Sequence, residues 1–469
     1  MMKKLVCFFL GTAWLTTATA GQPGQIRVQG NHFVTADGQP IVFRGLDTSD
    51  PDKLQRNGEW NRHYFEMARS WGANIVRIPV HPAAWRIHGK KPYLKLLDQG
   101  VRWAKDEGLY VIIDWHSIGN LHEEKFFPGS SELYPPTVYQ TTRQETFDFW
   151  RTMARHYRGN HTVAFFELFN EPTVNRDQNL GNCTWPEWKG LMEDLIKTIR
   201  ANGGTAVPLV AGFDFGYNLT PVAADPINTE GIGYVAHPYP MKAKQPWDAN
   251  WTRDWGFVAD KYPMILTEIG FLPPGEPGGY NPITGDESYG DAITSYCARR
   301  GISYSVWCFD PHWGPCLIKD WNFTPTRAGA YFKKAWQSPQ PSATSGKAGG
   351  LIAAEHGSNP CLRASTSPRA HPFLLSRPAR DERGESRREG LLIKNSTSPR
   401  PNDSLAPARS ALSGLCFANS FRRFPNGSSP PTPLAEREKT ASRSTLSTPG
   451  PSIPATVELD GSSGRAEGF

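Results

Sequence analysis

The chain has 469 residues, with 51 Lys and Arg against 45 Asp and Glu, a formal net charge of +6, and 16 Trp, 15 Tyr and 24 Phe. An aromatic content of 12% excludes a wholly disordered chain, and no apolar run approaches the roughly 20 residues needed to cross a bilayer. The charge excess belongs to one end, because 17 Lys and Arg against 11 Asp and Glu after Gln337 account for all of it.

Residues 1–20 read as an export signal. Lys3 and Lys4 precede an apolar run from Leu5 to Leu15, and Ala18-Thr19-Ala20 offers small residues for cleavage after Ala20. The mature protein is expected to be secreted, into the medium or the periplasm, and not held in a membrane. At the other end every Trp and Tyr lies before Gln337, and irregular Ser, Pro, Arg and Gly clusters follow. Residues 337–469 are therefore expected to be a low-complexity, disordered tail, a linker or read-through stretch rather than a nucleic-acid-binding arm. Residues 21–336 remain for one large domain.

Ile26 to Arg44 carries Asp37-Gly38 between two β-prone runs, which predicts a hairpin plugging the floor of the domain. Beyond it, short β-branched or aromatic runs alternate with longer amphipathic ones, the pattern of parallel strands joined by helical crossovers. Eight strands are predicted: Val42 to Leu46, Asn74 to Pro79, Tyr110 to Asp114, Val163 to Phe169, Val207 to Ala211, Ile232 to Ala236, Met264 to Thr267 and Ser303 to Trp307. Helices are predicted from Asn61 to Trp71, Leu94 to Glu107, Thr142 to His156, Trp185 to Ala201 and Glu287 to Arg299, several ending at a glycine. Eight strands close a (β/α)8 TIM barrel. The alternative, an open doubly wound sheet, wants a Gly-rich phosphate turn after its first strand. Asp47, Ser49, Asp50 and Pro51 stand there instead.

Chemistry in such a barrel sits at the C-terminal ends of the strands. Those positions hold Arg77 to His81, Asp114-Trp115-His116, Asn170-Glu171-Pro172, His237-Pro238-Tyr239, Thr267-Glu268-Ile269-Gly270 and Val306-Trp307. One strand-end His or Trp is ordinarily a packing residue, but six such ends coincide. Two carboxylates, Glu171 and Glu268, with His, Arg, Asn, Tyr and Trp around them are the equipment for breaking a glycosidic bond. Glu167 lies on the same strand as Glu171 at period-two spacing, so it is expected to face the barrel interior deeper down and to serve structure. Asp114 is expected to orient His116, and Asp310 to be solvated at the surface. No HExxH pattern or Cys/His cluster with ligand spacing occurs, so no metal or cofactor is expected. Of Cys183, Cys297, Cys308 and Cys316, the last two are the favoured disulfide pair, with free buried thiols as the alternative. Trp85, Trp185, Trp188, Trp247, Trp251, Trp255, Trp313 and Trp321 are expected mostly to pack, with a few stacking on sugars.

In Arg77, His116, Asn170-Glu171-Pro172, His237 with Tyr239, Glu268 and Trp307, the chain resembles glycoside hydrolase family five, the cellulase-type barrel enzymes, from about Asn31 to Trp336. The resemblance implies Glu171 as acid/base and Glu268 as nucleophile. It also implies substrate contacts from Arg77, His116, Asn170, His237, Tyr239 and Trp307. The expected activity is retaining, endo-acting hydrolysis of a β-1,4-glucan by a monomer, with carboxyl groups about 5 to 5.5 Å apart. β-Mannan, xyloglucan and mixed-linkage glucan are alternative substrates of the same residues. A carbohydrate-binding protein without turnover is the rival from another class.

Overall fold

Burying β-branched and aromatic runs on both faces requires helices outside and side chains inside, which is what a closed parallel barrel supplies. In a computed structural model of the chain, the described residues are 22–337 without 130–133, 135–137, 175–178 and 277. The expected export signal at 1–20 and the expected tail after Gln337 lie outside them. Eight strands form: β1 (Arg44–Asp47), β2 (Ile75–Val80), β3 (Tyr110–Trp115), β4 (Val163–Glu167), β5 (Val207–Ala211), β6 (Gly233–Val235), β7 (Met264–Ile269) and β8 (Ser303–Val306). They pair in parallel in chain order, and β8 closes on β1 through Tyr304 and Arg44.

The five predicted helices appear as Arg62–Ser70, Lys90–Asp106, Arg143–His156, Trp185–Ala201 and Glu287–Arg300. Local chemistry sets their ends. Thr184 and Glu187 form a capping box at the start of the fourth, and Gly301, in the left-handed region at φ 65°, ends the fifth. Further helices at Pro51–Arg56, Pro82–His88, Trp247–Asp254 and Arg327–Gln337 add to the predicted set. The first two begin on a proline, whose fixed φ suits the first helical position.

The N-terminal hairpin forms, but its turn differs from the expected one. Arg27–Gln29 pairs antiparallel with His32–Val34 around Gly30 and Asn31, while Asp37-Gly38 makes a second turn bridged by Val34 and Pro40. Gly30 takes φ 59°, a conformation open to glycine at no steric cost, so it closes the ladder earlier. The hairpin seals the barrel floor, where Phe33 meets Phe165 edge-to-face at 4.9 Å.

Side chains alternate along each strand, and this sorts the interior into layers. Ile75, Ile112, Phe165, Leu209, Val235 and Ile265 fill the lower barrel with Ile26, Phe33 and Phe43. Their outward neighbours, among them Val76, Val111, Phe166 and Val210, pack against the helices. One step higher the inward residues turn polar: Asp47, Arg77, Asp114, Glu167, Thr267 and Ser305 are all fully buried. The site rests on this layer.

Candidate active site

Arg77 is the centre of the polar layer. Its Nε and Nη2 donate to the two oxygens of Glu167 at 2.6 and 3.2 Å, and Nη2 also reaches Asn170 Oδ1 at 2.6 Å and Asp114 at 3.0 Å. Nη1 donates to Glu268 Oε1 at 3.0 Å and lies 3.5 Å from Asp47. A planar guanidinium with five donors can make these five hydrogen bonds, with Asp114 held as an ion pair beside them, and an ammonium cannot. Glu167 is thus the buried structural partner its spacing predicted, and Arg77 holds its carboxyl below the usual range although burial acts the other way. Burial pushes Asp47 and Asp114 well above that range, against the pull of Arg77.

Two irregularities bring the candidate catalytic carboxylates over this layer. After β4, residues Glu171–Pro172 join Ile118–Asn120 and Lys125–Phe126 in a small separate sheet, and the Glu171 amide donates to Ser117 O at 3.1 Å. In β7 the register shifts between Leu266 and Ile269. Thr267 and Glu268, consecutive residues, consequently both face inward: the Thr267 hydroxyl donates to Glu167 at 2.8 Å, and Glu268 meets Arg77. A bulge commonly re-aims a side chain in this way.

One oxygen of Glu171, one oxygen of Glu268 and a ring nitrogen of His237 all lie within 4.8 Å of one another. His237 Nδ1 donates to Glu171 Oε1 at 3.0 Å, and Nε2 donates to the Thr267 hydroxyl at 3.0 Å. Burial opposes charge on this imidazole, but Glu268, Glu167 and Glu171 outweigh it and raise its pKa to about 9. His237 is therefore a cation at neutral pH with both nitrogens donating. Tyr239 donates its hydroxyl to Glu268 Oε2 at 2.9 Å. Burial nonetheless lifts Glu268 above the ordinary glutamate value, with His237 and Arg77 pulling it down and Glu171 adding to the rise.

His116 is the opposite case to His237. Burial, then the neighbouring His81, Arg77 and His237, drive its pKa well down, so it is neutral. Its Nδ1 donates to Asp114 Oδ2 at 2.6 Å, which leaves Nε2 as an acceptor. The Trp307 ring lies parallel to it, centroids 5.3 Å apart and planes 5° apart, and is half-buried at the rim. Asn170 is almost fully buried. Its Oδ1 is taken by Arg77, and its Nδ2 has no hydrogen-bond partner. An orphaned buried donor beside two carboxylates suits a ligand hydroxyl.

All eight candidate residues therefore converge on one end of the barrel. Two expectations need correction. Asp310 is fully buried, not solvated, because the loop after β8 folds back onto the helix Pro51–Arg56 and Lys53 Nζ reaches its carboxylate at 2.6 Å. Cys308 and Cys316 carry free thiols, as do Cys183 and Cys297; Cys308 points into the core, its sulfur 4.0 Å from the Ser49 hydroxyl. Trp85, Trp185, Trp188, Trp251 and Trp255 are buried packing residues, whereas Trp247, Trp313 and Trp321 keep part of their surface open. His81, at the end of β2, also borders the site, held by Asp50 at 3.0 Å and 4.6 Å from the His116 ring. It ends the segment Arg77-Ile78-Pro79-Val80-His81 at the rim of its strand, and that position was the available signal. Lys242 has no such signal: its ammonium donates to the carbonyls of Phe215 at 2.6 Å and Asp214 at 3.1 Å, residues distant in sequence.

A closed parallel barrel bearing paired carboxylates after its fourth strand and on its seventh, above a buried arginine, defines the barrel glycoside hydrolases as a class. The chain belongs to the cellulase family, glycosyl hydrolase family 5, whose family model matches residues 34–312. It is similar to a β-glucanase of Saccharophagus degradans, solved in complex with cellotetraose, at 42% identity and a TM-score of 0.64 over 70% of this chain and 97% of that one. Endoglucanase A of Butyrivibrio fibrisolvens is 24% identical over 296 residues, 61% of this chain and 60% of that protein. An endoglucanase of Paenibacillus polymyxa is 24% identical over 352 residues, 64% of this chain and 84% of that protein. Among the described residues no helix is long and apolar enough to cross a membrane.

Proposed function

We propose that the protein is a retaining, endo-acting glycoside hydrolase that cleaves β-1,4-glucan, with Glu171 as acid/base and Glu268 as nucleophile. The observation that carries the reading is the approach of Glu171 and Glu268, whose nearest oxygens lie within 4.8 Å. That closeness suits direct attack by a carboxylate at about 5 to 5.5 Å between the groups and leaves no room for the water an inverting pair holds between them. Glu268 attacks the anomeric carbon while Glu171 passes its proton to the departing oxygen. Water then enters, gives its proton to Glu171, and displaces Glu268 with net retention.

The surroundings divide the labour between the two carboxylates. Arg77 and Tyr239 donate to Glu268, favouring its charged form and fixing the attacking oxygen. His237 holds one oxygen of Glu171, leaving the other for the proton in transit. The free Nδ2 of Asn170 donates to the sugar 2-hydroxyl, a contact that tightens as charge develops at the anomeric carbon. Trp307 supplies an apolar face for the ring, and His116 accepts from a hydroxyl.

The cellotetraose complex of the 42% identical relative supports a β-1,4-linked glucose chain as substrate. That protein is named a β-glucanase, which favours mixed-linkage glucan as the second reading. Residues 1–20 direct export, and the stretch after Gln337 takes no part in the chemistry. Reducing-sugar release from carboxymethylcellulose, lichenan, xyloglucan and glucomannan, with Glu268→Gln as control, tests the reading. Cellulose-type activity lost in the variant is the expected result; turnover surviving the substitution, or an inverted first product by NMR, would refute it.

A further inference from the structure

Trp313 lies beyond Trp307 on the rim and continues its surface. The two rings are near parallel, 8° apart, with centroids 6.2 Å apart. Trp307 in turn lies parallel to His116. Both centroid separations exceed the roughly 3.5 to 4.0 Å of face contact between carbon atoms, so the three parallel rings are offset from one another, and His81 touches both end members of the group. Trp313 is only half-buried, and its loop is held by several converging contacts. Asp310 accepts the backbone N–H groups of His312 at 2.7 Å and Trp313 at 3.0 Å. The same carboxylate takes the Ser49 hydroxyl and Lys53 Nζ, the latter at 2.6 Å. Lys53 then sits 4.2 Å from the centre of the Trp313 ring, close enough for a cation–π contact, and His81 meets the ring edge-on at 5.4 Å.

A buried ion pair contributes little net stability, since desolvation offsets the attraction. A pair that also caps two amides and supports an aromatic face does something that a packed apolar pair would not: it fixes the angle of that face. In the reading given above Glu171 protonates the leaving sugar and Trp307 faces the sugar that Glu268 attacks, on the other side of the cleaved bond; Trp313 is the ring parallel to Trp307. We propose that Trp313 is a second sugar platform on that side, and that Lys53 and Asp310 are its positioning residues, so that together they set the enzyme's preference for longer chains. This rests on the β-glucan reading given above.

The test uses 4-nitrophenyl β-glycosides carrying one, two or three β-1,4-linked glucose units, with kcat/KM measured on the full chain. In the unmodified protein kcat/KM is expected to climb with each unit. Trp313→Ala should cut the ratio of the three-unit to the one-unit value by about tenfold, the factor expected for loss of some tens of square ångströms of apolar contact. Lys53→Met should cut the same ratio, and Lys53→Arg should restore most of it. A defect in folding alone lowers all three substrates in proportion and leaves the ratio intact. Because Lys53→Met strands a buried carboxylate and can lower the yield of folded protein, the Trp313→Ala ratio is decisive: an unaltered ratio overturns the proposal. Failure of the catalytic assignment it rests on has a different signature, namely full turnover by Glu268→Gln with the chain-length ladder intact. No turnover of any of the three glycosides by the unmodified protein would sink both.

Discussion

Arg77 and Glu268, 191 positions apart in the chain, meet across the barrel with Nη1 3.0 Å from Oε1, and the same guanidinium binds Glu167 with two parallel hydrogen bonds. One buried cation thus orients the proposed nucleophile and compensates the carboxylate below it. Removing it would strand both. Arg77→Met is expected to destabilise the fold by about 3 to 5 kcal/mol, the range for breaking a buried pair from one side, and to abolish activity in whatever folded fraction remains. Urea unfolding followed by tryptophan fluorescence checks the first part; a loss below about 1 kcal/mol would mean that the carboxylates are neutral without Arg77.

Glu171 and Glu268 should respond differently to leaving-group quality. Glu171→Ala is expected to slow polysaccharide cleavage by about 10²- to 10⁴-fold, the usual worth of a positioned general acid. On a 2,4-dinitrophenyl glycoside, whose leaving group departs without a proton, bond cleavage should fall far less. Stopped-flow release of the phenol measures it. Equal losses on both substrates would remove Glu171 from the acid's role.

Asn170 keeps one donor unused in a nearly water-free position. Replacing it by Ala should lower kcat by about 10²- to 10³-fold, as for removal of one donor that serves the transition state. The same variant should lose little on a 2-deoxyglycoside, where the acceptor is already missing. Comparing the two enzymes on the two substrates isolates the pair, and strict additivity of the two changes would argue against the contact.

His237 links activity to alkaline stability. Its pKa in the fold is about 9, above the roughly 6.5 of an unperturbed imidazole. The protonated ring therefore stabilises the fold fully below about pH 6.5, and that contribution fades as pH rises through about 9. The window corresponds to about 3 kcal/mol. Urea midpoints measured at about pH 6 and about pH 10 should fall for the unmodified protein by more than for His237→Asn. Identical falls would show that other groups carry the alkaline limb.

Much of this arrangement was legible in the one-dimensional pattern. The alternation of apolar runs with amphipathic segments marks eight strands and the helices between them, because burial on both faces of a parallel sheet demands that order. Polar residues ending consecutive strands reveal the site, since one end of such a barrel is built from those positions. Local rules also settle a helix end such as that at the left-handed Gly301.

Tertiary structure decided the rest. Period-two spacing puts Thr267 and Glu268 on opposite faces of β7, yet both face inward, because the strand shifts register between Leu266 and Ile269 as it pairs with β8. Glu171 is likewise held by a small sheet from the loop after β3, a pairing with no local signature. Asp310 reads as a surface carboxylate until Lys53, 257 residues away, is found against it. Each of these depends on which distant groups share a volume once the barrel closes, and contact across the barrel leaves no periodicity in the chain.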